Sequence, residues 1–233
     1  MSMGLAIVGY GKMGQLIERM APEHGFIVQA KFDGGNNAHA HALSHGTLRG
    51  VDIAVEFTAP HAAVENIRRL AVLGVNCVVG TTGWGEQLAE MRQAIEHAQT
   101  GLVWAPNFSV GANLFAQAVT YAASSFARHA EYEAWGWEIH HSGKKDAPSG
   151  TLKKLAEEMR AAGYSREIHL SANRAGAHPG THEIGFDSAA DTITFRHTAR
   201  SREGFAHGAL LAARWIAGKK GFFEFKEILA ELG

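Results

Sequence analysis

Leu5-Ala6-Ile7-Val8-Gly9-Tyr10-Gly11-Lys12-Met13-Gly14 decides the fold of this chain. Four apolar residues run into G-x-G-x-x-G, and a helical pattern follows through Ile17 and Met20. A strand that enters a glycine turn and opens a helix is the dinucleotide-binding fingerprint in its required context. Gly9 permits the tight turn, Gly11 lets the backbone approach a pyrophosphate, and Gly14 lets helix and strand pack closely. The pyrophosphate sits on the helix N-terminus, where the first N–H groups have no partner within the helix.

Outward from this stretch, the next strand runs from Phe26 to Phe32 and ends at Asp33. An acidic residue roughly 20 positions after the fingerprint is expected to bind the ribose hydroxyls of NAD and to repel a 2′-phosphate. No arginine follows Asp33; Gly34-Gly35-Asn36-Asn37 does. This favours NADH, with Lys12 and Lys31 as the cations available to offset an NADPH phosphate. An aspartate before glycines is equally an ordinary turn former.

Residues 34–50 are polar and rich in histidine (His39, His41, His45) but carry no carboxylate or cysteine at metal-ligand spacing. Strand 51–57, helix 62–73, strand 76–80, helix 86–98 and strand 102–104 then alternate. Such β-α alternation predicts a Rossmann-like, doubly wound parallel sheet in an α/β fold. Turns at Glu56-Phe57-Thr58, Gly80-Thr81-Thr82-Gly83 and Ala105-Pro106-Asn107-Phe108 follow three strands. They are expected along the carboxyl edge, where a ligand lies in open α/β sheets. Thr81, Thr82 and Asn107 can hydrogen-bond a carboxamide there, or cap helices.

From Phe108 the character changes. A small-residue helix (114–126) leads to a strand over 131–141, with Trp135 and Trp137 on one face and Glu138 and His140 on the other. A helix at 151–162 precedes extended segments at 167–173, 181–186 and 192–198, and a helix follows over 202–217. The division expected is a dinucleotide-binding domain (1–107, with a helical return over 207–233) and a smaller α+β substrate and oligomerisation domain (108–206).

The whole chain sets limits. It has 233 residues, enough for a real core, and its charges nearly cancel: Lys+Arg 22 against Asp+Glu 23. Nucleic-acid binding is not expected without a basic excess. The 14 histidines are scattered, and no metal site is expected. Cys77, the single cysteine, sits in an apolar run and reads as a core residue of a protein in a reducing compartment. No stretch reaches the roughly 18 apolar residues of a membrane span. A cytoplasmic protein is expected.

The stretch densest in chemistry is Glu138-Ile-His-His-Ser-Gly-Lys-Lys-Asp-Ala-Pro-Ser-Gly-Thr151. Two histidines and two lysines stand just before a helix that opens on small residues, a setting for a strongly anionic small molecule. A histidine titrates near neutrality, so His140 suits proton transfer, and its neighbours can move its pKa either way. Strand neighbours face opposite sides, so the alternative to a functional pair is that one of His140 and His141 points inward as a core histidine. Asp146 reads as a turn former before Pro148, and Lys145 as solvated.

The run from His140 to Thr151 resembles the 4-hydroxy-tetrahydrodipicolinate reductase (dihydrodipicolinate reductase) family. So do Lys12-Met13-Gly14, Glu56-Phe57-Thr58, Gly80-Thr81-Thr82-Gly83, Asn107-Phe108-Ser109-Val110-Gly111, Arg174-x-Gly176 with Gly180-x-His182, and His197-Thr198-Ala199-x-Ser201-Arg202, in the family's order. The resemblance implies reduction of a small dicarboxylate with NADH or NADPH in diaminopimelate and lysine biosynthesis. It implies that Gly9, Tyr10, Gly11, Lys12, Met13, Gly14, Asp33, Gly80, Thr81, Thr82, Ala105, Pro106, Asn107 and Phe108 bind the cofactor. It implies His140 and Lys144 as catalytic residues, His141, Ser149, Gly150 and Thr151 as substrate ligands, and a homotetramer built through the second domain. The glycine loop is one residue tighter than in many members, Lys12 stands where arginine is common, the 34–50 connection is short, and no basic residue follows Asp33. These departures bear on cofactor preference. The residues alone leave open another nicotinamide-dependent reductase of similar build, or a dinucleotide-sensing regulator.

Overall fold

The computed structural model describes residues 2–232. It contains two compact units, one formed by residues up to Val110 together with those from Glu203 onward, the other by Gly111–Arg202. Along the chain the first unit holds β1 (Met3–Val8), α1 (Lys12–Met20), β2 (Phe26–Phe32), β3 (Ile53–Glu56), α2 (Pro60–Val72), β4 (Asn76–Val79), α3 (Leu88–Ala98) and β5 (Gly101–Trp104). Then come α4 (Val110–Phe126), β6 (Glu133–His140), α5 (Gly150–Ala161), β7 (Ile168–Arg174), β8 (Thr181–Asp187) and β9 (Thr192–Thr198). The chain returns to the first unit as α6 (Glu203–Ile216), β10 (Gly221–Glu224) and the short α7 (Phe225–Ile228).

The first unit is a six-stranded sheet of order β10-β5-β4-β3-β1-β2, and its pairings are parallel. Its central strands are apolar because helices cover both faces. Leu5 and Ile7 of β1 enter the core shared with α1 and α6, while Ala6 and Val8 enter the core shared with α2 and α3. The fold class expected from the sequence is the one observed. One element differs: residues 221–224, expected within the helical return over 207–233, form β10 and extend the sheet beside β5. The chain steps from β1 to β2 on one side and then to β3 on the other. The edge between β1 and β3 is therefore the switch point at which such sheets take ligands.

The second unit is a four-stranded sheet of order β7-β6-β8-β9. β6 pairs in parallel with β7 and antiparallel with β8, and β8 antiparallel with β9. On α5 the residues at i, i+3, i+4 and i+7 (Leu152, Leu155, Ala156, Met159) are buried, as one apolar stripe requires. Alternation along β6 buries Ala134, Gly136 and Glu138, and leaves Trp135 and Trp137 half-buried on the opposite face.

Candidate active site

Two places gather polar groups, one in each unit. In the first unit a cleft of about 300 Å3 lies at the switch point, lined by Gly9 and Gly11, by Asp33 and Asn37 at the end of β2, and by Thr58 and Asn66 from the α2 side, among others. The backbone has the form a dinucleotide needs. Gly9 has φ +102°, and a Cβ there would lie 2.2 Å from the Phe57 carbonyl oxygen. A Cβ at Gly14 would lie 2.4 Å from the Gly9 carbonyl oxygen, so only glycines let α1 seat against the strand end. A Cβ at Gly11 would meet nothing within 4 Å, so this residue, the N-cap of α1, faces open cleft. The chain therefore fits a dinucleotide.

Asp33 Oδ1 accepts the N–H groups of Gly35 at 2.8 Å and Asn36 at 3.1 Å, which makes it a turn former as well as a cleft residue. Lys31 is occupied elsewhere: its Nζ is 3.0 Å from Glu18 and lies over the Tyr10 ring, while the Tyr10 hydroxyl donates to Glu18. Lys12 opens α1 and is exposed, and Met13 packs against the core. The Gly80-Thr81-Thr82 turn abuts the cleft through Thr81, whose Oγ1 accepts the Thr58 N–H at 2.7 Å. Phe108 is buried between Phe57 and Phe225, Ala105 is buried, Pro106 is exposed, and Asn107 accepts the Ser109 N–H. Beneath the cleft lies Glu56, whose carboxyl burial pushes up against hydrogen bonds from Thr58 and Asn66.

In the second unit the centre is Glu138, fully buried on the inner face of β6. Its Oε1 accepts the Ser149 N–H at 2.8 Å and Arg174 Nη2 at 2.8 Å, and its Oε2 accepts the Ser149 hydroxyl. Ser149 Oγ in turn accepts the Leu152 N–H at 3.2 Å, so the residue that caps α5 also anchors the carboxylate. Arg174 arrives in register: β6 and β7 pair His140 with Arg174, and Arg174 Nη2 also donates to the Asp146 carbonyl. His182 of β8 is the register partner of Glu138, and His197 of β9 is the partner of His182.

His140, two residues along β6 from Glu138, completes the group. Its Nε2 is 3.3 Å from His182 Nε2 and 3.5 Å from Glu138 Oε2, and His182 Nε2 is 3.4 Å from the same oxygen. Burial alone would push the Glu138 carboxyl up, but the Ser149 hydroxyl and the Arg174 guanidinium outweigh it and hold it below the usual range. Burial, with Lys144 and Arg174, lowers His140 against the opposing pull of Glu138. His182 is pushed down to about 4, chiefly by burial. The ligand atoms of Glu138, His140 and His182 lie close enough to bracket a cation. Both Glu138 oxygens are already engaged, however, and Arg174 neutralises their charge, so a cation would have to displace Arg174 or Ser149.

The loop after β6 holds the remaining candidates. Lys144 Nζ is 2.7 Å from Asp146 Oδ1, and the Gly150 N–H donates to Asp146 Oδ2 at 3.2 Å. Lys144 holds the Asp146 carboxyl down to about 2. A carboxylate thus sits between an ammonium and the start of α5. His141 and Thr151 are exposed, and His141 lies outside the Glu138 cluster. Both polar groups of Ser149 face Glu138, so the N–H groups read from the sequence as free at 149 and 150 are bonded within the chain. Glu138, Arg174 and His182 are residues of this cluster to which the sequence reading gave no role; the shared strand face of Glu138 and His140, and the motif Arg174-x-Gly176 with Gly180-x-His182, were the signals.

A nucleotide-type glycine cradle on a parallel sheet, followed by a unit with a buried carboxylate–histidine cluster beside cations, is the build of a nicotinamide-dependent oxidoreductase. The chain belongs to the dihydrodipicolinate reductase family: residues 3–108 match its N-terminal part and residues 111–229 its C-terminal part. It is 34% identical over 241 residues to the 4-hydroxy-tetrahydrodipicolinate reductase of Christiangramia forsetii, covering 99% of each chain. It is 36% identical over 197 residues to the Methanocaldococcus jannaschii enzyme of the same name, covering 76% of this chain and 71% of that one. The fold matches that of a dipicolinate-bound dihydrodipicolinate reductase from Paenisporosarcina sp. TG-14, with TM-score 0.83 and 24% identity over 98% of this chain and 100% of the other. The activity is that of a 4-hydroxy-tetrahydrodipicolinate reductase of diaminopimelate and lysine biosynthesis, with NAD(P)H as reductant class. No helix among the described residues is long and apolar enough to cross a membrane.

Proposed function

We propose that the second unit binds the substrate as a dicarboxylate and that His140 supplies the proton that completes its reduction. The observation that carries this is the seat around Asp146. Lys144 and the first N–H of α5 grip a carboxylate, within electrostatic reach of His140. An arriving carboxylate of the substrate exchanges with that of Asp146, and Lys144, His141, Gly150 and Thr151 hold it. Ser149 supplies the frame, since its hydroxyl and N–H are committed to Glu138.

Bound NAD(P)H supplies a hydride. A dianionic substrate resists that negative charge unless fixed cations offset it, and Lys144, Arg174 and the α5 terminus are preorganised to do so. His140, which burial makes a stronger acid than a free imidazole, then gives the proton that balances the charge gained. Gly9, Tyr10, Gly11, Lys12, Met13 and Gly14 cradle the cofactor's phosphates. Asp33 takes the ribose hydroxyls, and the turns at 80–82 and 105–108 border the nicotinamide end. The occupied Lys31 and the carboxylate of Asp33 favour NADH over NADPH. The half-buried Trp135 and Trp137, on the face of the second unit's sheet away from Glu138, support assembly into a homotetramer through that sheet. The buried thiol of Cys77 and the biosynthetic role support a cytoplasmic setting.

Dipicolinate, the ligand of the Paenisporosarcina protein, tests the seat. Calorimetric titration should give a Kd at least about tenfold weaker for Lys144→Ala than for the unaltered protein, the loss of one charge-assisted contact. Equal affinities would remove Lys144 from the seat.

A further inference from the structure

Assigning the proton to His140 raises the question of what holds its ring, and the buried row on the second sheet answers it. Two imidazole nitrogens 3.3 Å apart, His140 Nε2 and His182 Nε2, have room for one proton between them. In the acid form of His140 both of its nitrogens carry protons, so its Nε2–H must donate and His182 Nε2 must accept. An imidazolium at 182 would set proton against proton.

The surroundings keep His182 neutral. It is 8% exposed, and burial together with His140, His197 and Lys144 outweighs the single carboxylate of Glu138, leaving its pKa at about 4. The groups that face His140 are Glu138 on its own strand, Arg174 on β7, His182 on β8 and Lys144 in the loop. Glu138 also draws on His140, but its Oε2 lies farther off, at 3.5 Å from Nε2, and its oxygens already accept from Ser149 and Arg174. On its other side the ring rests on backbone. A Cβ at Gly180, which has φ +137°, would lie 2.9 Å from His140 Cε1 and 3.0 Å from Nδ1.

We propose that His182 is a positioning residue whose neutral Nε2 accepts the Nε2–H of protonated His140, clamping the ring against Gly180 and leaving Nδ1 as the nitrogen that releases its proton to the substrate. Neutral His140 is then the Nε2–H tautomer. A hydrogen bond to the charged form raises a pKa, so His182 also keeps the His140 acid form available closer to neutral pH than burial alone would allow. This inference rests on the proposed role of His140.

The test combines 15N-histidine NMR of the full chain, from about pH 5 to 9 across the range in which free imidazoles titrate, with steady-state kinetics. In the unaltered protein His182 should show no titration in that range above its foot, and neutral His140 should show the Nε2–H pattern. In His182→Leu the limb of kcat that requires protonated His140 should move down by about one pH unit. Its kcat near neutrality should fall at least about tenfold, with substrate KM within about twofold. His182→Gln, whose Oε1 can accept, should restore most of both. Titration of His182 near the ordinary imidazole value, or an unmoved limb in folded His182→Leu, would overturn the inference. If His182→Leu does not fold, the NMR titration of the unaltered protein decides alone. Undiminished turnover in His140→Ala overturns the catalytic reading and this inference with it, whereas an unmoved limb beside an inactive His140→Ala overturns this inference only.

Discussion

At the scale of the residue, Glu138 and His140 could be placed together from sequence, because strand neighbours two apart share a face. Arg174 and His182 could not. They stand 36 and 42 residues from Glu138 and His140 respectively, and reach them only through the register of β7 and β8. The resulting cluster makes stability depend on pH. A histidine held near 4 in the folded chain and near 6.5 when unfolded binds its proton first in the unfolded state. The stability it permits is full above about 6.5 and falls as pH drops toward about 4, by up to roughly 1.4 kcal/mol per pH unit and roughly 3 kcal/mol in all. His140 and His197 are shifted in the same direction. The melting temperature should therefore fall between about pH 6.5 and 5, where most carboxylates are still ionised, and the fall should be shallower in His182→Leu. Parallel pH profiles for the two proteins would show that His182 is not the group responsible.

At the scale of the element, the passage from β1 through the glycine turn into α1 was legible, since Gly9 and Gly14 answer steric demands that the structure shows, while Gly11 opens onto the cleft. β10 was not legible. Its four residues, Gly-Phe-Phe-Glu, are too few to show a period, and what makes them a strand is the open edge of β5. The turn after β2 shows how one residue serves two ends. Asp33 forms the turn through Oδ1 and lines the cleft. Lys31, a candidate partner for a 2′-phosphate on sequence grounds, is tied to Glu18 instead. Asp33→Ala should accordingly lower kcat/KM with NADH more than with NADPH. Parallel assays with the two cofactors check this, and an unchanged ratio would reduce Asp33 to its turn.

At the scale of the whole molecule, the change in character after Phe108 marked the second unit, because an alternating β-α pattern gave way to strands with few crossovers. Charge balance and composition limited what the chain binds but said nothing of the site. The chemistry lies in a handful of buried groups that barely alter the totals. The seat at Lys144 was legible as a concentration of cations ahead of a helix. Its internal carboxylate was not, because Asp146 before Ala147-Pro148 reads equally well as a turn. In the proposed reaction the fold serves one proton, delivered from His140. The measurement is a coupled assay in which the preceding pathway step generates the substrate and cofactor absorbance reports reduction, run on the unaltered protein and on His140→Ala. Turnover is expected from the first and a loss of at least about a hundredfold in the second, with dipicolinate still bound. Comparable rates from the two proteins would contradict it.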